Sequence, residues 1–214
     1  QTRSNFGREH DNSLVLNYIE TNYNCIIHKY IPDYRVGNIG ASNETMKRAI
    51  GLDLAKFRDC THFMFIDCDE YYDTKEFSKA KKEIEDNKYD ATACGLYTYY
   101  KEPTYQLTPM EKYFVPFICE VKEVQTVGGK FDVYCDPTRG VSPVERFKTL
   151  DIKMHHFSYI RNDIRLKLEN SSARGNFISI DNLCDRFNNW KVGEEMINFK
   201  DYQIKEVENK FKIN

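Results

Sequence analysis

The sequence predicts an α/β fold: an open mixed, mostly parallel sheet flanked by helices, with antiparallel additions in the second half. Three observations carry this. Strand-like and helix-like patterns alternate as β-α-β-α-β up to residue 100, the order expected of βαβ units. His62-Phe63-Met64-Phe65-Ile66 is continuously apolar, as a strand covered on both faces should be. Beyond residue 100 the strand-like segments lose that regular alternation with helices.

The elements follow in order. Residues 14–21 read as a short helix with Asp11 or Asn12 near its cap. Cys25 to Tyr30 reads as a short strand, followed by a turn holding Gly37, Asn38 and Gly40. Residues 44–58 form an amphipathic helix whose apolar stripe includes Met46, Leu52 and Phe57, with Ser42 or Asn43 as cap. The apolar strand at 62–66 comes next, then Asp73-x-x-Glu76 opens a helix over 74–87 in the manner of a capping box. Ala91 to Tyr100 is a further strand. Strand-like stretches recur near 113–121, 131–135 and 151–160; helices are expected near 162–171 and 181–191, and a last strand near the C-terminus.

A chain of 214 residues suits one domain. Residues 1–100 form one half and 101–214 the other. Charged residues make up 30% of the chain, yet the net charge is only -2, which excludes the one-sided basic balance of a nucleic-acid binder. No apolar run reaches the roughly 18–20 residues a membrane span needs. The seven cysteines are scattered with no C-x-x-C spacing, which fits a reducing compartment rather than a zinc or disulfide framework. Neither Gly37-x-x-Gly40 nor Gly128-Gly129-Lys130 fits a dinucleotide or P-loop pattern.

The chemistry concentrates at Asp67-Cys68-Asp69-Glu70, directly after the apolar strand. Ligands of open α/β sheets bind outside the carboxyl ends of strands. Two carboxylates one residue apart at that place suit a hard divalent cation, Mn²⁺ or Mg²⁺, shared with phosphate. The plainer reading is an acidic loop before a helix. His155-His156 lies in a strand-like run, where alternation lets only one of the pair reach a given site. One of them completing the metal shell is set against a pair of ordinary core and surface histidines. Lys47, Arg48, Arg161, Arg165, Lys167 and Arg174 are cations that would suit a diphosphate. Arg48 and Lys167 are the first choices; the others read as solvated faces. Tyr71, Tyr72, Tyr97, Tyr99 and Tyr100 would stack on a sugar or serve as plain strand residues, the second being expected.

The stretch Phe63-Met64-Phe65-Ile66-Asp67-Cys68-Asp69-Glu70, behind a helix holding Lys47-Arg48-Ala49, resembles the metal-binding segment of bacterial family 2 glycosyltransferases. Val115-Pro116-Phe117-Ile118, Asp136-Pro137-Thr138-Arg139 and Met154-His155-His156-Phe157-Ser158-Tyr159-Ile160-Arg161, followed by Lys167-Leu168-Glu169-Asn170-Ser171-Ser172, resemble a branch linked to surface polysaccharide synthesis. The resemblance covers most of the chain. It implies a GT-A-like fold and a metal-dependent, inverting transfer from a nucleotide-sugar donor, UDP-linked for choice, to a glycan or glycolipid acceptor. Residues 1–100 then bind the donor and 101–214 face the acceptor. It implies that Asp67, Asp69 and His156 hold the metal, His156 being preferred over His155 because an aromatic residue follows it. It implies donor contacts from Ser4, Asn5, Arg48, Asp67, Cys68, Asp69 and Lys167, and a catalytic base at Asp136, with Glu111 and Glu120 as alternatives. Family members carry a strand and helix before the loop that Gln1 to Gly7 resembles. A cytoplasmic setting, at the inner membrane surface, goes with such an acceptor. The competing functions are a metal-dependent phosphohydrolase or nuclease, which would turn over a phosphodiester without acceptor, and a non-catalytic nucleotide- or carbohydrate-binding module.

Overall fold

A computed structural model describes residues 11–35, 39–122, 124–171 and 174–213. Ser4 and Asn5 lie outside them. The helices are α1 (Ser13–Asn22), α2 (Ile39–Phe57), α3 (Thr74–Asn87), α4 (Ile164–Asn170) and α5 (Ile180–Asn189). The strands are β1 (His62–Met64), β2 (Glu70–Tyr71), β3 (Ala91–Tyr100), β4 (Tyr105–Thr108), β5 (Phe114–Glu120), β6 (Thr126–Val127), β7 (Val141–Ser142), β8 (Phe147–Tyr159) and β9 (Gln203–Glu206).

The fold is α/β, with a mixed sheet flanked by helices. The expected mostly parallel sheet is not what forms. β3 is central and runs parallel to β8; every other strand pairing among the described residues is antiparallel. The reason lies in β5. The unit β1–α3–β3 has the sequence pattern of a parallel crossover, and the two strands do point the same way. But β5 inserts between them, antiparallel to both. Parallel neighbours need a long crossover, and here the segment from β3 to β8 supplies it.

The elements themselves follow their local signals. Asp73 caps α3 by accepting from the Lys75 and Glu76 amides, and Lys88 ends the helix in the left-handed region at φ 52°. Ala80 and Ile84 then pack on Cys94, Phe117 and Ile152. Complete burial of a ring such as Phe117 is worth roughly 1.5–3 kcal/mol. A second cluster joins Tyr100 and Leu107 to Leu168 of α4 and Phe187 of α5, and a third sets Leu52 of α2 against Val124, Val127 and Val141.

Several local expectations are corrected. Cys25 to Tyr30 forms no strand; Tyr30 is instead tied to Asn43, whose side chain also bonds both the amide and carbonyl of Asp33. Asn43 therefore sits inside α2, which begins at Ile39, and is not its cap. Met46 and Phe57 of the supposed apolar stripe are exposed, while Leu52 is buried. The apolar run at 62–66 is only half-covered: β1 is an edge strand of intermediate burial and Ile66 is exposed. The stretch 131–135 contributes a single bridge, Cys135 to Phe114. The seven cysteines are free, and no described helix is long and apolar enough to cross a membrane.

Candidate functional site

Strand alternation divides the central strands between two environments. Leu96 of β3 and Met154, His156 and Ser158 of β8 line a cavity of about 560 Å³. Their neighbours point the other way. Tyr99 stacks on Phe157 with ring centroids 4.3 Å apart, and its hydroxyl bonds His155 Nδ1 at 2.7 Å. His155 is thus a hydrogen-bonded core residue, and burial pushes it down to about 4. The paired histidines are split as alternation requires, with His156 on the cavity side.

The acidic loop forms the cavity rim. Glu70 starts β2, and its Oε2 accepts from the Asp67 amide at 3.0 Å, closing the turn on itself. Arg139 reaches in from the far side of the chain. Its Nη1 donates to Glu70 Oε2 at 2.9 Å, and Nη2 bonds both Glu70 Oε1 and, at 2.6 Å, Asp67 Oδ2. Glu70 and Arg139 are buried. Burial works against both charges: at Glu70 it outweighs the Arg139 contacts and raises the carboxyl above its ordinary range, while the carboxylates around Arg139 strengthen its hold on its proton. Burial also raises the Asp67 carboxyl, but Arg139 and Arg48 outweigh it and hold it below the ordinary carboxylate range.

A close glycine contact follows Arg139 in the chain. The Gly128 amide donates to the Gly140 carbonyl at 2.6 Å, and a Cβ on Gly140 would stand 1.7 Å from the Gly129 carbonyl oxygen. The two chains at the β6–β7 pairing approach closely because neither position carries a side chain. Gly128-Gly129 thus serves the backbone approach beside the Asp136–Arg139 loop.

Asp69 faces the other way along the cavity. Its Oδ2 accepts from Arg161 Nη2 at 2.8 Å, and its Oδ1 lies 4.0 Å from His156 Nε2. One cation with bonds of about 2.1 Å to each would span that gap, and burial favours the neutral, ligating form of His156. Asp67 offers a poorer fit, because Oδ2 is engaged by Arg139 and faces Arg48 at 3.4 Å. Among the described residues no group of three or more His, Cys, Asp or Glu gathers as a metal cluster.

The cations complete the lining. Lys167 on α4 donates to Ser158 Oγ, and burial pulls its ammonium down to about 8. Arg48 bonds Thr138 and, with Glu44 and Lys47, presents the first half of α2 to the cavity. Five acids (Glu44, Asp67, Asp69, Glu70, Asp136) meet five cations (Lys47, Arg48, Arg139, Arg161, Lys167), so the lining is formally neutral with His156 uncharged.

The cavity brings together Lys47, Arg48, Asp67, Asp69, Asp136, His156, Arg161 and Lys167 of the residues singled out in the sequence, and the placing of Lys47 and Arg161 corrects their reading as solvated faces. Cys68 is not part of that lining: between two inward carboxylates its side chain turns outward and is exposed. Arg165 is turned away, paired with Asp181 of α5. Asp136 is committed within its own loop, accepting from the Thr138 amide and hydroxyl and lying 3.1 Å from Arg139 Nε. Glu120 ends β5, the strand whose other end supplies Val115 to the cavity. Glu111 accepts from Thr98 Oγ1, and Thr98 is in register with His156.

Sequence reasoning missed the cavity positions of Arg139, Glu44, Tyr113 and Ser158, and the pairing of Glu70 with Arg139. Arg139 had a signal, its spacing of three from Asp136, but its partners come from 69 residues away. No family model matches the chain, and no curated protein matches it.

Proposed function

We propose that the cavity binds the diphosphate of a nucleotide-sugar and that the protein is a metal-dependent, inverting glycosyltransferase with a GT-A-like fold. The observation that carries the reading is the facing of Asp69 and His156 across 4.0 Å inside a charge-balanced cavity. A lining of five acids and five cations neither attracts nor repels a diphosphate; a divalent cation between Asp69 and His156 tips the balance positive. Mn²⁺ or Mg²⁺, when bound, supplies charge neutralisation at the leaving diphosphate.

The chain's own residues do the rest. Arg161 and Lys167 flank Asp69 and provide donors to phosphate oxygens. Arg139 holds Asp67 and Glu70 in place, so the loop is set before the ligand arrives. Arg48 and Lys47 extend the positive wall along α2. The acceptor hydroxyl gives its proton to a carboxylate as it attacks the anomeric carbon, and the bond to diphosphate breaks. Asp136, the first choice from the sequence, lines the cavity, and Glu111, its alternative, lies in the neighbouring pocket that shares Tyr113 with it. Burial raises the Glu111 carboxyl, while Asp136 is held by Thr138 and Arg139. The acceptor is a glycan or glycolipid, and the setting proposed is the cytoplasmic membrane surface.

The test is release of nucleoside diphosphate from a panel of UDP- and GDP-sugars with Mn²⁺ and an acceptor glycan mixture. Acceptor-dependent release supports transfer. Phosphodiester cleavage without any acceptor would favour a phosphohydrolase, and nucleotide binding without turnover a binding module.

A further inference from the structure

Tyr113 belongs to two cavities. It lines the central one and also a pocket of about 300 Å³ formed with Glu111, Lys112, Tyr134 and Tyr202. That volume lies at the small end of ligand sites, roughly 300–1,000 Å³. Tyr134 is 76% exposed, a large ring left in water. It is nevertheless positioned: its carbonyl accepts from the Phe114 amide at 2.9 Å, and its ring meets Tyr113 edge to face at 5.2 Å. Glu111 lines the smaller pocket and accepts from Thr98, the register partner of His156.

Three phenol rings beside one carboxylate and one ammonium match a ligand with an apolar face and a hydroxyl rim. A purely aliphatic ligand would cover the second Glu111 oxygen, the one not bonded to Thr98, without giving it a donor. An anion would meet the Glu111 carboxylate. A pyranose meets both demands: its C–H face lies on a ring, and its hydroxyls donate to the carboxylate. We propose that this pocket is a sugar-binding subsite, with a pyranose stacked on Tyr134 and hydrogen-bonded to Glu111. Its assignment to the acceptor rests on the transferase reading above; the binding of sugar does not. The five tyrosines weighed from sequence for stacking, Tyr71, Tyr72, Tyr97, Tyr99 and Tyr100, pack against other rings of the protein.

Saturation-transfer NMR tests it, using methyl glucopyranoside, methyl galactopyranoside and methyl N-acetylglucosaminide, each with and without UDP and Mn²⁺. The wild type is expected to saturate the ring C–H protons of at least one probe. Tyr134→Ala should weaken that binding about tenfold or more, and Tyr134→Phe should keep it within about twofold. Tyr134 is exposed, so neither variant opens a core cavity, and a thermal melt checks the fold. Saturation of no probe in either condition, or equal saturation by Tyr134→Ala, overturns the subsite. UDP binding in the same samples reports separately on the transferase reading. Sugar bound without nucleotide keeps the subsite and removes its acceptor role.

Discussion

Arg139 and Glu70 close on each other from 69 residues apart, both nearly out of reach of solvent, and the same guanidinium extends to Asp67. One buried cation therefore fixes both ends of the acidic loop. Removing it leaves Glu70 buried and unpaired, which costs about 3–5 kcal/mol. Arg139→Ala should accordingly lower the denaturation midpoint sharply. Arg139→Lys should recover only part of it, because an ammonium cannot make the forked contact. Urea melts of the two variants check this; a loss under about 1 kcal/mol for Arg139→Ala would show that the pair is not fully desolvated.

Arg161 approaches Asp69 at 2.8 Å from a partly exposed position, so it is expected to matter for ligand more than for folding. Arg161→Ala should weaken nucleotide diphosphate binding about tenfold while shifting stability by no more than about 0.5 kcal/mol. Calorimetry and a thermal melt on the same sample separate the two effects.

Asp90 gives a pH dependence with a definite sign. It is buried where β3 begins. Burial raises its carboxyl, but the Arg146 and Glu145 amides and the Arg146 side chain outweigh this and hold it below the usual 3.8. A depressed folded value means the unfolded chain takes up the proton first. The contribution is therefore present above about pH 4 and lost as pH falls through the folded value. Asp90→Asn should be less stable than wild type near pH 6, and the gap should narrow on acidification below about pH 4. Melts across that range read it directly.

Glu111 and Asp136 should separate by kinetics. Glu111→Gln is expected to cut turnover by about a hundredfold or more with the donor KM little changed. Asp136→Asn should mainly loosen the loop that carries Arg139, costing about 1 kcal/mol of stability. The reverse pattern would return the base to Asp136.

What the sequence disclosed follows from how local each signal is. α3 and β3 were readable to the residue, because a capping Asp73 and a small apolar run ending in alternating Tyr and Thr act within a few positions. The split of His155 from His156 was readable for the same reason, since it needs only the strand period. The pairing of β3 was not: the pattern of a βαβ unit says nothing about a later strand, β5, entering between β1 and β3. The site was half readable. Asp67, Asp69, His156, Arg48 and Lys167 sit in one cavity, but Arg139 meets partners from 69 residues away, a pairing that no short motif encodes. Cys68, between Asp67 and Asp69, lies outside that lining with its thiol exposed.

Calorimetric titration of UDP and GDP, with and without Mn²⁺, into the wild-type chain and Asp69→Ala tests the donor site most directly. One nucleotide should bind, only with Mn²⁺, and Asp69→Ala should abolish it. Binding of neither nucleotide, or binding indifferent to both Mn²⁺ and the Asp69 carboxylate, would contradict a metal-dependent donor site.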